Sequence, residues 1–296
     1  MTSWFFGLAA AFILILPAAF LYSKNNSPQH SLKTEPFNSV EAYLKNSYAR
    51  DFKKAYRYIS RGDRQLKAER VYVREKGSFS GFPLTVTRKL AQFIQLRPLQ
   101  TVREQDGQMR VKVQAKYPDA NSLSAILLEW DEERLNALPT SMQRDILSKL
   151  DQMDRAGEIK TIEGEEEFTL VKEGTSWRVY LDWAAGVRVS YDAVVPTESI
   201  EAIPVYKSTT IRPNELFTIS YRVKNRAAQT ISTRITHRIE PDELSQHLDI
   251  IDCALLLPVE LPPGAESEFS TTYMVRGDLP EGTKELNVTY DFQVAH

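Results

Sequence analysis

Few side chains in this sequence could ligate a metal or move a proton. There is one cysteine, Cys253, in the run IIDCALLLP. Of the four histidines, His30 lies in a polar stretch and His296 is the last residue, leaving His237 and His247 inside patterned sequence. One thiol excludes an intramolecular disulfide, and with it every zinc or iron–sulfur pattern that takes several cysteines from one chain. Cys253 therefore reads either as a lone soft ligand or as a buried apolar side chain between Ile250-Ile251 and Leu255-Leu256-Leu257, cysteine being among the most buried residue types. No HExxH, Gly-x-Ser-x-Gly, Walker or dinucleotide-binding pattern is present, and no catalytic residue is assigned.

The elements that must position these residues follow from patterning. From Trp4 to Tyr22 the chain runs 19 residues without a charge, close to the ~20 a helix needs to cross the hydrocarbon core. A transmembrane anchor is expected there, followed by a polar tether over residues 23–34. A cleaved signal peptide fits less well, because the run is too long and no Lys or Arg precedes it. Lys24 and Lys33 follow the span, which on charge bias alone favours a cytoplasmic C-terminus. Net charge is −2, so the strong positive field that non-specific nucleic-acid binding needs is missing.

Apolar residues at helical spacing (Val40, Tyr43, Leu44, Tyr48; then Phe52, Ala55, Tyr56, Ile59 after Asp51 as N-cap) predict two short helices. A charged third helix over Asp63–Glu75 is plausible. Alternation on either side of Asp106-Gly107 predicts a hairpin, Met142 to Met153 a helix, and the flanks of Glu173-Gly174-Thr175 a second hairpin. Helices followed by long antiparallel strands are an α+β layout. The helix pair SVEAYLKNSYARDFKKAYRYIS and the strand ending GTSWRVYLDW resemble the nuclear transport factor 2-like cone fold, covering residues 35–186 with an insertion over 120–156. That resemblance implies a pocket, which Tyr43, Tyr48, Tyr56 and Asp182 could line. Charge is segregated: ten basic against four acidic residues over Arg50–Lys76, eleven acidic against five basic over Trp130–Glu167. This reads as solvated faces that offset one another, or as a basic face near anionic headgroups.

From residue 187 to 296, short alternating runs (VRVSYDAVV, LFTISYRVKN, TISTRITHRI, SEFSTTYMV, ELNVTYDF) between turn residues predict an immunoglobulin-like antiparallel sandwich. The run RPNELFTISYRVKN, and HRIEPDELSQHLDIIDCALLLPVELPPGAESEFSTTYMV after it, resemble the CtaG-type copper-assembly family of cytochrome c oxidase. In that family a Cys-Phe-Cys-Phe motif precedes a glycine turn. Cys253 stands at the first cysteine and Gly264 at the turn, but Leu255 stands at the second cysteine, with Ala254 and Leu256 for the phenylalanines. Copper(I) is held by two or more soft donors, so the resemblance implies a degenerate copper motif. A site would need His247, Met274 or a second copy's Cys253 to join.

The fold class expected is an α+β cone-shaped domain plus an all-β immunoglobulin-like sandwich, preceded by one transmembrane helix. The function the resemblance implies is a non-enzymatic accessory or assembly factor for a respiratory oxidase. It would be single-pass in the inner membrane, with its domains on the periplasmic side, and would contact oxidase subunits or copper-delivery proteins, with no cofactor or with copper(I). Two alternatives stay open: a small-molecule-binding or enzymatic cone domain, and a copper(I) carrier acting as a Cys253-bridged homodimer.

Overall fold

A computed structural model describes residues 35–103, 107–195, 197–253 and 259–295. The apolar run Trp4–Tyr22, the tether, the turn residue Asp106 and Leu255 lie outside the described residues. Among the described residues no helix is long and apolar enough to cross a membrane. The fold is mixed α and β, with three sheets, and it divides into two compact units. One unit takes residues 35–60 together with Gly77–Tyr180. The other takes Arg61–Lys76 together with everything from Leu181 onward.

In the first unit, α1 (Glu35–Tyr48) buries Phe37, Val40 and Leu44, the stripe expected from spacing. Asp51 caps α2 (Phe52–Ala55), accepting from the Lys54 amide, and its other oxygen meets Arg88 at 2.7 Å. Four antiparallel strands follow in the order β1 (Gln95–Arg103), β2 (Gln108–Pro118), β3 (Thr161–Glu173) and β4 (Ser176–Tyr180), so both expected hairpins form. Cross-strand pairs on the outer face of β2 and β3, Lys112–Glu165 at 2.6 Å and Lys116–Glu163 at 3.1 Å, offset part of the acidic excess locally.

A helix that periodicity did not single out, α5 (Gly81–Gln92), carries much of this unit's second core, placing Val86 and Leu90 against Leu123, Leu127, Leu135 and Leu150. Pro83 and the β-branched run Thr85-Val86-Thr87 hide it in the sequence. Proline is tolerated in a first turn, where its missing N–H has no helical partner, and the exposed Phe82 amide is met by the Asn136 side chain at 2.8 Å. The helix expected from Met142 to Met153 is α7 (Thr140–Ala156), after the short α6 (Glu132–Asn136). Leu150 is buried and Ile146, Leu147 and Met153 pack partly, but Met142 in the first turn stays exposed.

In the second unit, α3 (Arg61–Leu66) and α4 (Glu69–Lys76) replace the single helix expected over 63–75. The strands are β5 (Val187–Val194), β6 (Ile200–Pro204), β7 (Ser208–Ile211), β8 (Leu216–Asn225), β9 (Ile231–Glu240), β10 (Leu248–Cys253), β11 (Val259–Leu261), β12 (Glu266–Val275) and β13 (Glu285–Ala295). They form two sheets, β10-β12-β8-β6 and β11-β9-β13-β5-β7, which share one core: Phe217, Tyr221 and Tyr273 from the first, Val288, Tyr290 and Phe292 from the second. One pairing departs from the antiparallel expectation, since β13 runs parallel to β5. Alternation reports which face of a strand is buried and says nothing of its direction.

The helices α3 and α4 are held by buried charge. Lys67 and Glu75 pair at 3.0 Å with side chains only 1% and 2% exposed, and Lys67 also approaches Glu215 at 3.7 Å. The Lys67 ammonium lies 4.5 Å from the centroid of the buried Trp183 ring. Lys76 meets Glu215 at 2.9 Å. The Asp63 carboxylate accepts from the amides of Leu181 and Trp183, both at 2.8 Å. Burial pushes the Glu215 carboxyl up, but Lys76, Lys67 and the Arg212 amide more than offset this and hold it at about 2. Burial also raises Glu75, against the opposing pull of Lys67, and here burial wins. Lys67→Met should therefore destabilise the second unit by roughly 3 kcal/mol, the cost of breaking a buried pair from one side. Glu75→Gln should cost clearly less, because burial works against the charge on Glu75 while glutamine keeps an acceptor for Lys67 and Glu215 remains as its counter-charge. Urea unfolding of both variants checks the order.

Candidate functional site

Cys253 ends β10, an edge strand paired with β12. The register sets Cys253 opposite Thr271, and the thiol lies 3.3 Å from the Thr271 hydroxyl. Thr271, Tyr273 and Val275 alternate onto the buried face of β12, so Cys253 joins the rim of the sandwich core. A chain of hydroxyls continues inward. Thr271 interacts with the Tyr290 hydroxyl, which hydrogen-bonds that of Tyr273 across the two sheets. Burial raises both phenols, Tyr290 to about 12 and Tyr273 further. Asn225 fixes the neighbouring connection: its side-chain amide donates to Gln229 and Leu261, both at 2.8 Å, tying the β8–β9 turn to β11.

Cys253 is half-buried, while Ile250 and Ile251, expected to bury it, are 40% and 44% exposed on the edge strand. Ile250, opposite Tyr273, lies on the open edge of the sheet, and Ile251 falls in a register irregularity between Ile250 and Asp252. His247 lies beyond the opposite end of β10, where its Nδ1 meets Asp278 at 3.1 Å. Six residue steps separate it from Cys253, roughly 20 Å at ~3.3 Å per residue. Met274 is three positions from Thr271 on β12 and faces away from the core, so neither side chain is brought to Cys253. The imidazole that does reach the tyrosine pair is His237, with ring centroids 6.0 Å from Tyr273 and 5.9 Å from Tyr290; burial lowers its pKa. Its inward parity on TISTRITHRI was the available signal. Among the described residues no three His, Cys, Asp or Glu side chains cluster as a metal would require. Among the described residues the group next to the thiol is the Thr271 hydroxyl, a hard donor that does not suit copper(I).

The first unit holds a titratable pair that sequence reading passed over. In the acidic run of β3, Glu165 and Glu167 point outward, whereas Glu166 takes the opposite parity and accepts a hydrogen bond from Tyr117. Tyr117 stacks on Tyr48 at 5.8 Å, and Tyr48 donates to the Pro118 carbonyl at 2.7 Å. Tyr43 packs edge-on to Phe168. Burial raises the Glu166 carboxyl, with the Tyr117 hydrogen bond opposing. Of the other residues suggested as pocket lining, Tyr56 is core and Asp182 belongs to the second unit, where it pairs with Arg212 at 2.6 Å.

Residues 158–293 match the family of cytochrome c oxidase assembly protein CtaG/Cox11. The C-terminal part of the chain is CtaG-like. The CtaG proteins of Rhizobium meliloti strain 1021 and Sinorhizobium medicae strain WSM419 are each 26% identical over 112 residues, 36% of this chain. The chain spans 57% of the length of these curated relatives. Among solved structures, E. coli and Salmonella alpha-2-macroglobulins align at TM-scores of 0.21 and 0.22 with 9% identity, over 69% and 68% of this chain and 17% and 16% of theirs. Scores that low carry no inference. The CtaG-like match begins at Glu158, so β3 with Glu166 falls inside it while α3 and α4 fall outside.

Glu166 yields a pH test. Its folded pKa is raised, so its contribution to stability is fully present below the ordinary glutamate value of about 4.3 and is lost as pH rises through the higher folded value. Natural chain and Glu166→Gln should therefore differ in thermal midpoint by an amount that shifts in the variant's favour from acid toward neutral pH. A difference independent of pH would contradict the assignment.

Proposed function

We propose that this chain is a non-enzymatic accessory factor in cytochrome c oxidase assembly, anchored by Trp4–Tyr22 with both folded units on the periplasmic side. Its CtaG-like sandwich acts as an immunoglobulin-like scaffold for oxidase or copper-delivery proteins, and not as a two-thiolate copper carrier. The observation that carries the reading is the surroundings of Cys253: a CtaG-like domain whose single thiol is flanked by Thr271 and the Tyr273–Tyr290 pair, with Leu255 where the sequence resemblance calls for a second cysteine. Ligand count supports this reading, because leucine donates nothing to a metal. For the first unit we propose a cone-like α+β fold whose role is to support the sandwich.

In a source strain lacking the chain, assembled oxidase should fall, and a Cys253→Ser chain should restore it to near the natural level. Failure of Cys253→Ser, with the protein present in normal amount, would favour the thiolate-bridged carrier. Purified natural chain should lose copper(I) to a competing chelator at every protein concentration, and Leu255→Cys should retain it at least tenfold better. A periplasm-active reporter fused after His296 should be active; activity only of a cytoplasmic reporter would reverse the orientation.

A further inference from the structure

Away from Cys253, the second unit contains a recess of about 430 Å³ between the turn after Trp183 and the edge strand β7. It owes its shape to a close approach. A Cβ at Gly186 would come within 2.3 Å of the Ile211 carbonyl oxygen, so only glycine lets this turn lie against β7. Trp183 borders it but is only 1% exposed, with Lys67 4.5 Å from its ring centroid; the accessible apolar side chain in the lining is Leu66, 47% exposed. Ser208 and Thr210 supply hydroxyl-bearing side chains along the edge strand.

Two cations, Arg188 and Lys284, complete the lining. The β5–β13 register sets them near one another, the Arg188 amide donating to the Lys284 carbonyl at 2.7 Å. Among the described residues neither side chain has an ion-pair partner, although Glu285 is the register partner of Arg188. Most cations in this unit are paired: Arg212 with Asp182, Arg276 with Asp249, Lys76 with Glu215. Two unpaired cations, hydroxyl donors and the exposed apolar side chain of Leu66 in one recess are the chemistry that recognises a phosphate joined to an organic group.

We propose that this recess binds a phosphate monoester, with Arg188 and Lys284 on the phosphate, Ser208 and Thr210 as hydroxyl donors and Leu66 against the organic part. The proposal is independent of the oxidase reading. Its source is either a free soluble ester or an anionic lipid headgroup, which share the chemistry.

Two probes separate these sources on the purified full chain: phenyl phosphate titrated in calorimetry with the chain in neutral detergent, and flotation with phosphatidylcholine vesicles with and without phosphatidic acid. Saturable phenyl phosphate binding, weakened at least about tenfold by Arg188→Ala with Lys284→Ala, supports a free ester. Binding seen only as enrichment on phosphatidic-acid vesicles, and lost in the same variant, supports a headgroup. Arg222→Ala, a cation on β8 paired with Glu266, should leave either signal unchanged. If the double variant misfolds, Lys284→Gln alone should still weaken binding measurably. Absence of binding to both probes overturns the proposal, as does binding that Lys284→Gln and the double variant leave unchanged.

Discussion

Lys67 is a fully buried cation, and a buried charge persists only where partners surround it. Its partners come from three places in the chain: Glu75 on α4, Glu215 at the start of β8, and the face of Trp183. Without these partners its charge would be stranded in an apolar interior. This constraint makes residues 61–76 part of the CtaG-like unit, although they precede the family match by some eighty residues of chain. The same cluster fixes Trp183, and Trp183 with Gly186 shapes the recess beside β7.

The elements legible in the sequence were those whose burial follows one period. The α1 stripe of Val40 and Leu44, the Asp51 cap, both hairpins of the first sheet and the alternating runs of the sandwich could be read directly. Three features were not. The helix α5 is disguised by Pro83 and β-branched residues, whose low helix propensity is outweighed by packing of Val86 and Leu90 against α6 and α7. The parallel pairing of β5 with β13 is a matter of topology, which alternation does not encode. The membership of α3 and α4 depends on Lys67 and Glu75, which in a highly charged segment look like any solvated pair.

The site residues divide along the same line. Cys253 could be picked out by its type alone, but its environment depends on register: a one-residue irregularity after Ile250 leaves Ile251 unpaired and turns the thiol toward Thr271. His247 and Met274 are near Cys253 in sequence or sheet and yet far from its sulfur, one at the other end of the strand and one on the other face. His237 and Glu166 were legible in principle by parity, His237 on the inward positions of β9 and Glu166 alone among three glutamates. Hydrophilic surroundings in sequence concealed Glu166, because adjacent strand residues face opposite ways and a charged run says nothing about its middle member.

That α3 and α4 form one cooperative body with the CtaG-like sandwich is the claim on which this account depends most. Hydrogen exchange resolves it in a chain whose sandwich core is loosened by Phe217→Ala. The account predicts that the hydrogen-bonded amides of Lys67, Val71 and Tyr72 lose protection together with those of β8 and β12, while α5 and β2 keep theirs. Protection of Lys67, Val71 and Tyr72 that survives with α5 and β2 would contradict it.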